Sequence, residues 1–232
     1  MIINVGLGTF GGALRLGDLL GVANVLCHFR TTENNDQIKF HLRPNAVSNT
    51  AYVQEFYQWL LANTDFYSTV PGEIDLPWQR VNIWDYRDIS GDLVKIENKN
   101  NKTDKIVVAP LFDAAYNTYR NWTSDVFDRI IDWANKNYSD HDLVILAHQP
   151  RQVPKWRTVT KLTDGLLEIM TARIYVGGDT GLSHFAGCLT PGPDPEYYYS
   201  SRSLIHATPL HWPVSKRGQM HTYWRDFENT KW

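Results

Sequence analysis

In the first hundred residues, short apolar runs alternate with longer stretches in which apolar residues recur periodically. Ile2–Val5 is a short, mostly apolar run, and the glycine-rich segment Gly6–Gly12 follows it at once. From Leu14 to Phe29, apolar residues recur at three- and four-residue steps, which predicts a helix. Similar signals predict two further strands, Ile38–Leu42 and Val81–Trp84, and a second helix, Ala51–Leu61.

The same alternation starts again after a polar interruption. Lys95–Lys105 is rich in Asn and Lys and shows no hydrophobic period, which is typical of an interdomain linker. Beyond it the pattern predicts three strands, Ile106–Pro110, Leu143–Ala147 and Ile174–Val176, and two helices, Thr123–Asn137 and Lys161–Thr171. Alternation of this kind favours parallel sheets covered by helices on both faces. We therefore expect an α/β fold with two Rossmann-like domains, residues 1–100 and 106–200.

The last part of the chain differs in composition. Pro191–Pro195 contains three prolines and predicts a loop. The segment 201–232 interleaves aromatic rings with cations and carries five Lys or Arg against two Asp or Glu. We therefore treat it as a separate C-terminal segment.

Overall composition excludes several classes of protein. In 232 residues, 43% are apolar and 13% aromatic, which is ample for packed cores, and a formal charge of −2 gives no global attraction to nucleic acid. Two cysteines far apart in sequence do not make a disulfide framework. The N-terminus enters a strand without a secretory h-region, and no long apolar run follows. These features predict a cytoplasmic protein without a membrane span.

One stretch of the second half carries the clearest candidate chemistry. After the strand Ile174–Val176, Gly177 and Gly178 allow a turn, and either Asp179 or Thr180 can cap the helix that follows. The unpaired amides and the dipole of a helix N-terminus favour an anion such as phosphate. His184 lies one turn further along the same face. The pattern therefore predicts an anion site at the start of this helix.

This stretch also resembles a known family. Asp-Thr-Gly-Leu-Ser-His at 179–184, followed by Phe-Ala-Gly, resembles the nucleotide-sugar loop of the GT-B heptosyltransferases that build the lipopolysaccharide inner core. Arg120-Asn121-Trp122-Thr123 is similar to that family's Lys/Arg-x-Trp-Pro segment, whose cation lies near the donor phosphates. The resemblance implies that the donor contacts Arg120, Gly178, Asp179, Thr180, Gly181 and His184. It also implies that the C-terminal segment packs back on the first domain.

The first half carries the family's second signature. Arg15-Leu16-Gly17-Asp18 is similar to the family's first loop, in which an Asp is the base, so the resemblance implies that Asp18 takes the acceptor's proton. The glycine loop before it is several residues longer here, and Asp113 is the alternative base. The neighbouring residues expected on the acceptor side are Gly8, Gly11, Gly12, Arg15 and Gly17. A further departure follows Leu143–Ala147, where Gln149 replaces the family's acidic ribose contact.

The resemblance implies a metal-independent, inverting glycosyltransferase that uses a nucleotide-diphosphate sugar as co-substrate and needs no cofactor. The sequence contains no His pair at helical spacing and no Cys cluster that would predict a metal site. The acceptor could be a saccharide. A modified base in DNA is the other candidate, because rings and cations in the segment 201–232 suit nucleic acid. Sugar, nucleobase and oligomeric state stay open.

Two other interpretations stay open. Gly6-Leu7-Gly8-Thr9-Phe10-Gly11 spells G-x-G-x-x-G after a strand, which is typical of NAD(P)-dependent or flavin oxidoreductases. Arg43 stands where that fingerprint expects an acidic residue, and an arginine there would suit a 2′-phosphate. The chain could also bind a nucleotide sugar without catalysing transfer.

Overall fold

The computed structural model describes residues 1–5, 13–43, 45–76, 94–110, 121–148, 151–178 and 180–199, with side chains described up to residue 193. The chain divides into two compact units, residues 1–96 and 97–232. This division falls inside the Lys95–Lys105 segment. Within the described ranges, no helix combines the length and apolarity that crossing a bilayer requires.

The first unit is a three-stranded parallel sheet with two helices. Its strands are β1 (Ile2–Val5), β2 (Lys39–Leu42) and β3 (Ile74–Leu76), and its helices are α1 (Leu16–Thr32) and α2 (Ala51–Asn63). The strand order is β2-β1-β3, so β1 lies in the centre of the described sheet, with Ile3 opposite both Phe40 and Ile74. α1 is buried continuously from Leu19 to Leu26 and forms much of this core.

The third strand of this unit differs from the sequence prediction. The predicted strand Val81–Trp84 lies outside the described residues, and the described third strand is β3. Its three residues, Ile74, Asp75 and Leu76, are exposed or half-buried. So short and exposed a segment has no hydrophobic pattern that marks it as a strand.

The second unit contains a five-stranded parallel sheet. In chain order its elements, starting with the strand that spans the division, are β4 (Ile96–Glu97), β5 (Lys105–Ala109), α3 (Ser124–Asn137), β6 (Asp142–Leu146), β7 (Arg157–Val159), α4 (Leu162–Thr171), β8 (Ile174–Gly178), α5 (Gly181–Cys188), β9 (Leu189–Thr190) and β10 (Asp194–Tyr199). The large sheet has the order β10-β8-β5-β6-β7, and all its neighbours are parallel. The predicted α/β class with parallel sheets is therefore confirmed.

The central strands of this sheet are apolar along almost their whole length. Ile106–Ala109, Leu143–Leu146 and Ile174–Val176 are all buried, because helices cover both faces of a parallel sheet. One face packs against α3, whose buried residues Phe127, Ile130 and Trp133 belong to the same cluster as Ile106 and Val108 of β5. Trp122 and Trp156 complete that cluster at 3% and 8% exposure.

The sequence pattern missed two strands of this sheet. β7 is Arg-Thr-Val, too short and polar to stand out from a loop. The predicted loop Pro191–Pro195 is wrong at its end, because Asp194 and Pro195 belong to β10 and pair with β8. Proline lacks an amide donor and is tolerated in a strand at an edge or a bulge. The register of β10 shifts between Pro195 and Tyr197, which accommodates it.

The polar segment after residue 96 is held against the second unit by side chains that bond to backbone carbonyls. Asn98 is 5% exposed, and its amide donates to the carbonyl oxygens of Met170 and Pro191 at 2.8 and 3.0 Å. The ammonium of Lys102 also donates to Met170. The Asn and Lys content of this segment therefore serves specific contacts besides solvation.

Charged side chains cluster at the amino edge of the large sheet, where β5, β6 and β7 begin. Glu168 of α4 lies 2.6 Å from the ammonium of Lys105 and 2.7 Å from the guanidinium of Arg157, which also reaches Asp142 at 3.0 Å. Burial alone would raise the pKa of Glu168, but hydrogen bonds from Arg157 and Lys105 outweigh it and lower that pKa. This network ties α4 to three strands.

Glu168→Gln tests the network. We expect the variant to lose about 1–3 kcal/mol of the free energy of unfolding at pH 7, because it leaves two half-buried cations with a neutral partner. Since the folded-state pKa of Glu168 lies below its ordinary 4.5, this contribution is present above pH 4.5 and is lost as the pH falls through the folded-state pKa. Denaturant unfolding of both proteins between pH 7 and pH 3 measures the difference.

The matched control is Glu97→Gln. Glu97 pairs with Lys99 at 3.4 Å, but both side chains are at least 75% exposed, so we expect a change below about 0.5 kcal/mol. Equal losses in the two variants would contradict a stabilising role for the network.

Candidate functional site at the start of α5

The order of the strands in the second unit locates a crevice. β5 connects through α3 to β6 on one side, whereas β8, the other neighbour of β5, connects through α5 to β10 on the opposite side. Right-handed crossovers then put α3 and α5 on opposite faces of the sheet. Where the strand order reverses in this way, a crevice opens beyond the carboxyl ends of the two strands, and ligands of open α/β sheets bind there. Gly178 is the last residue of β8.

α5 begins with a capped turn that leaves two amides available. The hydroxyl of Thr180 accepts from the amide of Ser183 at 3.4 Å, and its carbonyl receives the amides of Ser183 and His184. Among the described residues, the amides of Gly181 and Leu182 have no hydrogen-bond acceptor. Both residues are half-buried. The helix therefore presents two donors and its positive dipole end at the crevice.

The end of β8 depends on a close contact between Tyr175 and Gly177. These residues lie on one face of the strand, two positions apart, and the Tyr175 ring extends along the strand over Gly177. A Cβ at position 177 would lie 2.7 Å from both Cε1 and Cζ of that ring. Glycine is therefore required at 177 by this close approach. Gly177 and Gly178 both belong to β8, so the strand extends two residues beyond its predicted end.

The start of α1 in the first unit is also fixed by backbone bonds. The amide of Leu14 donates to Ala46 at 2.8 Å, and Ser48 donates back to Leu14 at 3.0 Å. Asp18, in the first turn of the helix, accepts from the amide of Arg15 at 3.0 Å through Oδ2. Because α1 follows β1 in a parallel sheet, its half-buried Asp18 lies at the carboxyl edge of that sheet.

Comparison with known proteins gives a structural likeness. No protein-family model matches the sequence, and no curated protein matches it. The glycosyl transferase family 9 structure from Veillonella parvula DSM 2008 is 11% identical, with a TM-score of 0.50, and the match covers 90% of this chain and 84% of that one. E. coli heptosyltransferase WaaC with ADP is 12% identical, with a TM-score of 0.54, covering 93% and 92%. The chain has a GT-B heptosyltransferase-like fold.

Within this GT-B-like fold, the described residues bring together part of the predicted donor site. Gly178, Thr180, Gly181 and His184 all lie at the junction of β8 and α5. Trp122 of the predicted Arg-x-Trp segment is buried in the core of the second unit. The remaining donor-side predictions lie outside the described residues: Arg120, Asp179 and Gln149.

Of the residues predicted for the acceptor side, Arg15, Gly17 and Asp18 lie together at the start of α1. Gly8, Gly11, Gly12 and the alternative base Asp113 lie outside the described residues. Within the described ranges, no group of three His, Cys, Asp or Glu side chains could hold a metal ion.

The environment of Arg43 bears on the oxidoreductase interpretation. Its guanidinium donates to Asp75 at 2.8 Å, and hydrogen bonds from Arg43 and Asn4 lower the pKa of that exposed carboxyl. Arg43 therefore has a carboxylate partner that would compete with a 2′-phosphate. The glycine fingerprint before it lies outside the described residues.

A hollow beside the start of α3 was not predicted from the sequence. The hollow has a volume of about 420 Å³ and is lined by Ser124, Phe127, Asp128, Arg151, Gln152 and Val153. The guanidinium of Arg151 lies over the Phe127 ring, 5.6 Å from its centroid. Only the fold brings these residues together, because they come from different connections at the carboxyl edge. Ser183, which is fully buried behind the turn, was missed for a similar reason.

Gly177→Ala tests the packing behind the turn. The added methyl group must displace the buried Tyr175 ring, so we expect a loss of about 1–3 kcal/mol in the free energy of unfolding, measured by denaturant titration. Gly165→Ala in α4 is the matched control. Its Cβ would meet the Leu146 methyl groups at an ordinary 3.6 Å, and alanine favours a helix over glycine by up to about 1 kcal/mol. A Gly177→Ala protein as stable as its parent would show that the ring is not held against the strand.

Proposed function

We propose that this chain is a glycosyltransferase that moves a sugar from a nucleotide-diphosphate donor to an acceptor hydroxyl. One observation carries the proposal: two available amides, of Gly181 and Leu182, lie at the strand-order reversal of a heptosyltransferase-like fold. The structural relative from E. coli was solved with ADP, which is itself a nucleoside diphosphate. Its identity to this chain is 12%, so the site chemistry has to carry the assignment.

The donor side needs groups that stabilise a leaving diphosphate. Negative charge accumulates on the diphosphate as the glycosidic bond breaks, and preorganised amides and a helix dipole can stabilise it without a metal ion. His184, one turn into α5, adds a ring N–H donor. By its resemblance to the family's cationic segment, Arg120 completes this set in the proposal.

The acceptor side needs a base. We assign this role to Asp18, with Asp113 as the alternative. In an inverting transfer, the acceptor oxygen bonds to the anomeric carbon from the face opposite the diphosphate. The bond from that carbon to the phosphate oxygen breaks, and the acceptor proton passes to the carboxylate. The electron pair of the broken bond leaves with the nucleoside diphosphate.

The acceptor we favour is a saccharide hydroxyl, as the fold relationship to a heptosyltransferase supports. A modified DNA base stays the second candidate on the composition of the segment 201–232. Salt-dependent retention on DNA would favour it. In this proposal the enzyme needs no metal and no resident cofactor, and it acts in the cytoplasm.

Gly181→Pro tests the donor site. Proline removes one of the two available amides, yet it suits the first position of a helix, and the extended Thr180 backbone suits a residue before proline. We expect a panel of nucleoside diphosphates and their sugars to include a ligand that stabilises the parent protein. At 100 times its Kd, such a ligand adds about 2.7 kcal/mol. In Gly181→Pro its Kd should rise about tenfold.

Ala51→Pro is the matched control, because Ala51 is exposed and occupies the first position of α2 after an extended Thr50. Thermal shift and isothermal titration calorimetry measure stability and Kd for each protein. We expect Ala51→Pro to bind as the parent does. If Gly181→Pro binds the nucleoside diphosphate with the Kd of the parent, the donor does not bind at this turn.

Asp18→Asn tests the base. The asparagine oxygen can still accept from the Arg15 amide, so the start of α1 is preserved. We expect donor binding to be unchanged and the rate of sugar transfer to fall by about 10²- to 10⁴-fold, the usual contribution of a general base. Transfer is measured as nucleoside diphosphate released in the presence of acceptor. An undiminished rate would exclude Asp18 and make Asp113→Asn the next variant.

A further inference from the structure

Three groups behind the turn between β8 and α5 form a buried network of hydrogen bonds. Tyr175 is fully buried in β8, and its hydroxyl lies 3.1 Å from the hydroxyl of Ser183, which is also fully buried. The Ser183 hydroxyl lies 2.6 Å from the carbonyl oxygen of Gly178. These hydrogen bonds therefore join the middle of β8, the first turn of α5 and the last residue of β8.

The Gly178 carbonyl determines which group donates and which accepts in each of these hydrogen bonds. A carbonyl oxygen can only accept, so the Ser183 hydroxyl donates its single hydrogen to the Gly178 carbonyl. Ser183 must then accept from Tyr175, whose hydroxyl is the donor. Burial raises the pKa of Tyr175, so the hydroxyl keeps its proton at neutral pH.

The consequence falls on the Gly178 carbonyl. It accepts from Ser183 and also from the amide of Thr180 at 2.8 Å, so it is turned toward the protein's own donors. A carbonyl directed at the crevice would repel an anion, since its oxygen carries partial negative charge. Among the described residues of the turn, holding that oxygen inward leaves the amides of Gly181 and Leu182 as the polar groups available to a ligand.

We propose that Tyr175 and Ser183 are positioning residues that hold the Gly178 carbonyl inward and so keep the α5 amides available to a nucleoside diphosphate. This role rests on the proposed function, because it concerns the same site. Neither side chain is exposed, so both act through the turn rather than by touching the ligand.

The test removes single hydroxyl groups. Tyr175→Phe and Ser183→Ala delete the donor to Ser183 and the donor to Gly178, respectively. Tyr67→Phe is the matched control, because Tyr67 is 3% exposed and donates its hydroxyl to the carbonyl of Leu19 in the first unit. Each full-length protein is titrated with ADP, UDP, GDP, CDP and dTDP by calorimetry, well below its melting temperature.

We expect Tyr175→Phe and Ser183→Ala each to raise the Kd of the preferred nucleoside diphosphate about tenfold. Tyr67→Phe should keep the parent Kd within about twofold, although it also loses a buried hydrogen bond. A purely structural role would make the three variants alike in both stability and Kd.

A spectroscopic measurement follows the amide itself. In protein labelled with ¹⁵N-glycine, the Gly181 signal is assigned by its absence from the Gly181→Pro variant. We expect that signal to move on titration of the parent with the bound nucleoside diphosphate, and to differ in position between the unliganded parent and Tyr175→Phe.

The outcomes separate the two proposals. If the parent binds no member of the panel, the proposed function fails and the positioning role fails with it. If the parent binds and both hydroxyl variants bind equally well, the positioning role alone is overturned. Should Tyr175→Phe not fold, the comparison of Ser183→Ala with Tyr67→Phe decides.

Discussion

The pairing of β5 with β8 constrains everything else in the second unit. Residues Ile106–Ala109 lie opposite Ile174–Gly177 in parallel register, and all eight are buried. β6 occupies the other edge of β5 and β10 the other edge of β8, so the chain must leave this central pair in opposite directions. The crevice at their carboxyl ends is a consequence of that topology, whatever side chains surround it.

The two edges of the same sheet carry different kinds of polar group. At the amino edge, Lys105 and Arg157 are paired with Glu168 and Asp142, which stabilises the fold and leaves little net charge for a ligand. At the carboxyl edge, the polar groups of the described residues at the end of β8 are amides, a capping hydroxyl and a carbonyl held inward. Amides that lack an acceptor among the described residues favour an anion there, at the edge opposite to the ion pairs that stabilise the fold.

The first unit also contains a parallel sheet, with three described strands. Its helix α1 begins at the carboxyl edge, where Asp18 caps the first turn. A side chain that caps a helix is held in place by the amide from which it accepts. A positioned carboxylate is also what proton removal from an acceptor requires, so capping and the proposed catalysis are compatible in one side chain.

The pattern of the sequence by itself determined the alternation of helices and strands, the parallel class of the sheets and the capped turn after β8. These features are encoded locally, in the apolar runs around Ile106 and Ile174 and in the capping residue Thr180. The resemblance carried by residues 179–184 also anticipated the heptosyltransferase-like fold.

Only the tertiary structure decided which elements lie side by side. The short strands β7 and β10 form because a neighbouring strand supplies their hydrogen-bond partners, and a polar triplet or a proline-containing run does not encode that neighbour. The contact of Tyr175 with Ser183 likewise joins a strand to a helix across a turn, and Asn98 finds its acceptors more than 70 residues away. Such partners are set by packing in three dimensions, which a one-dimensional period cannot specify.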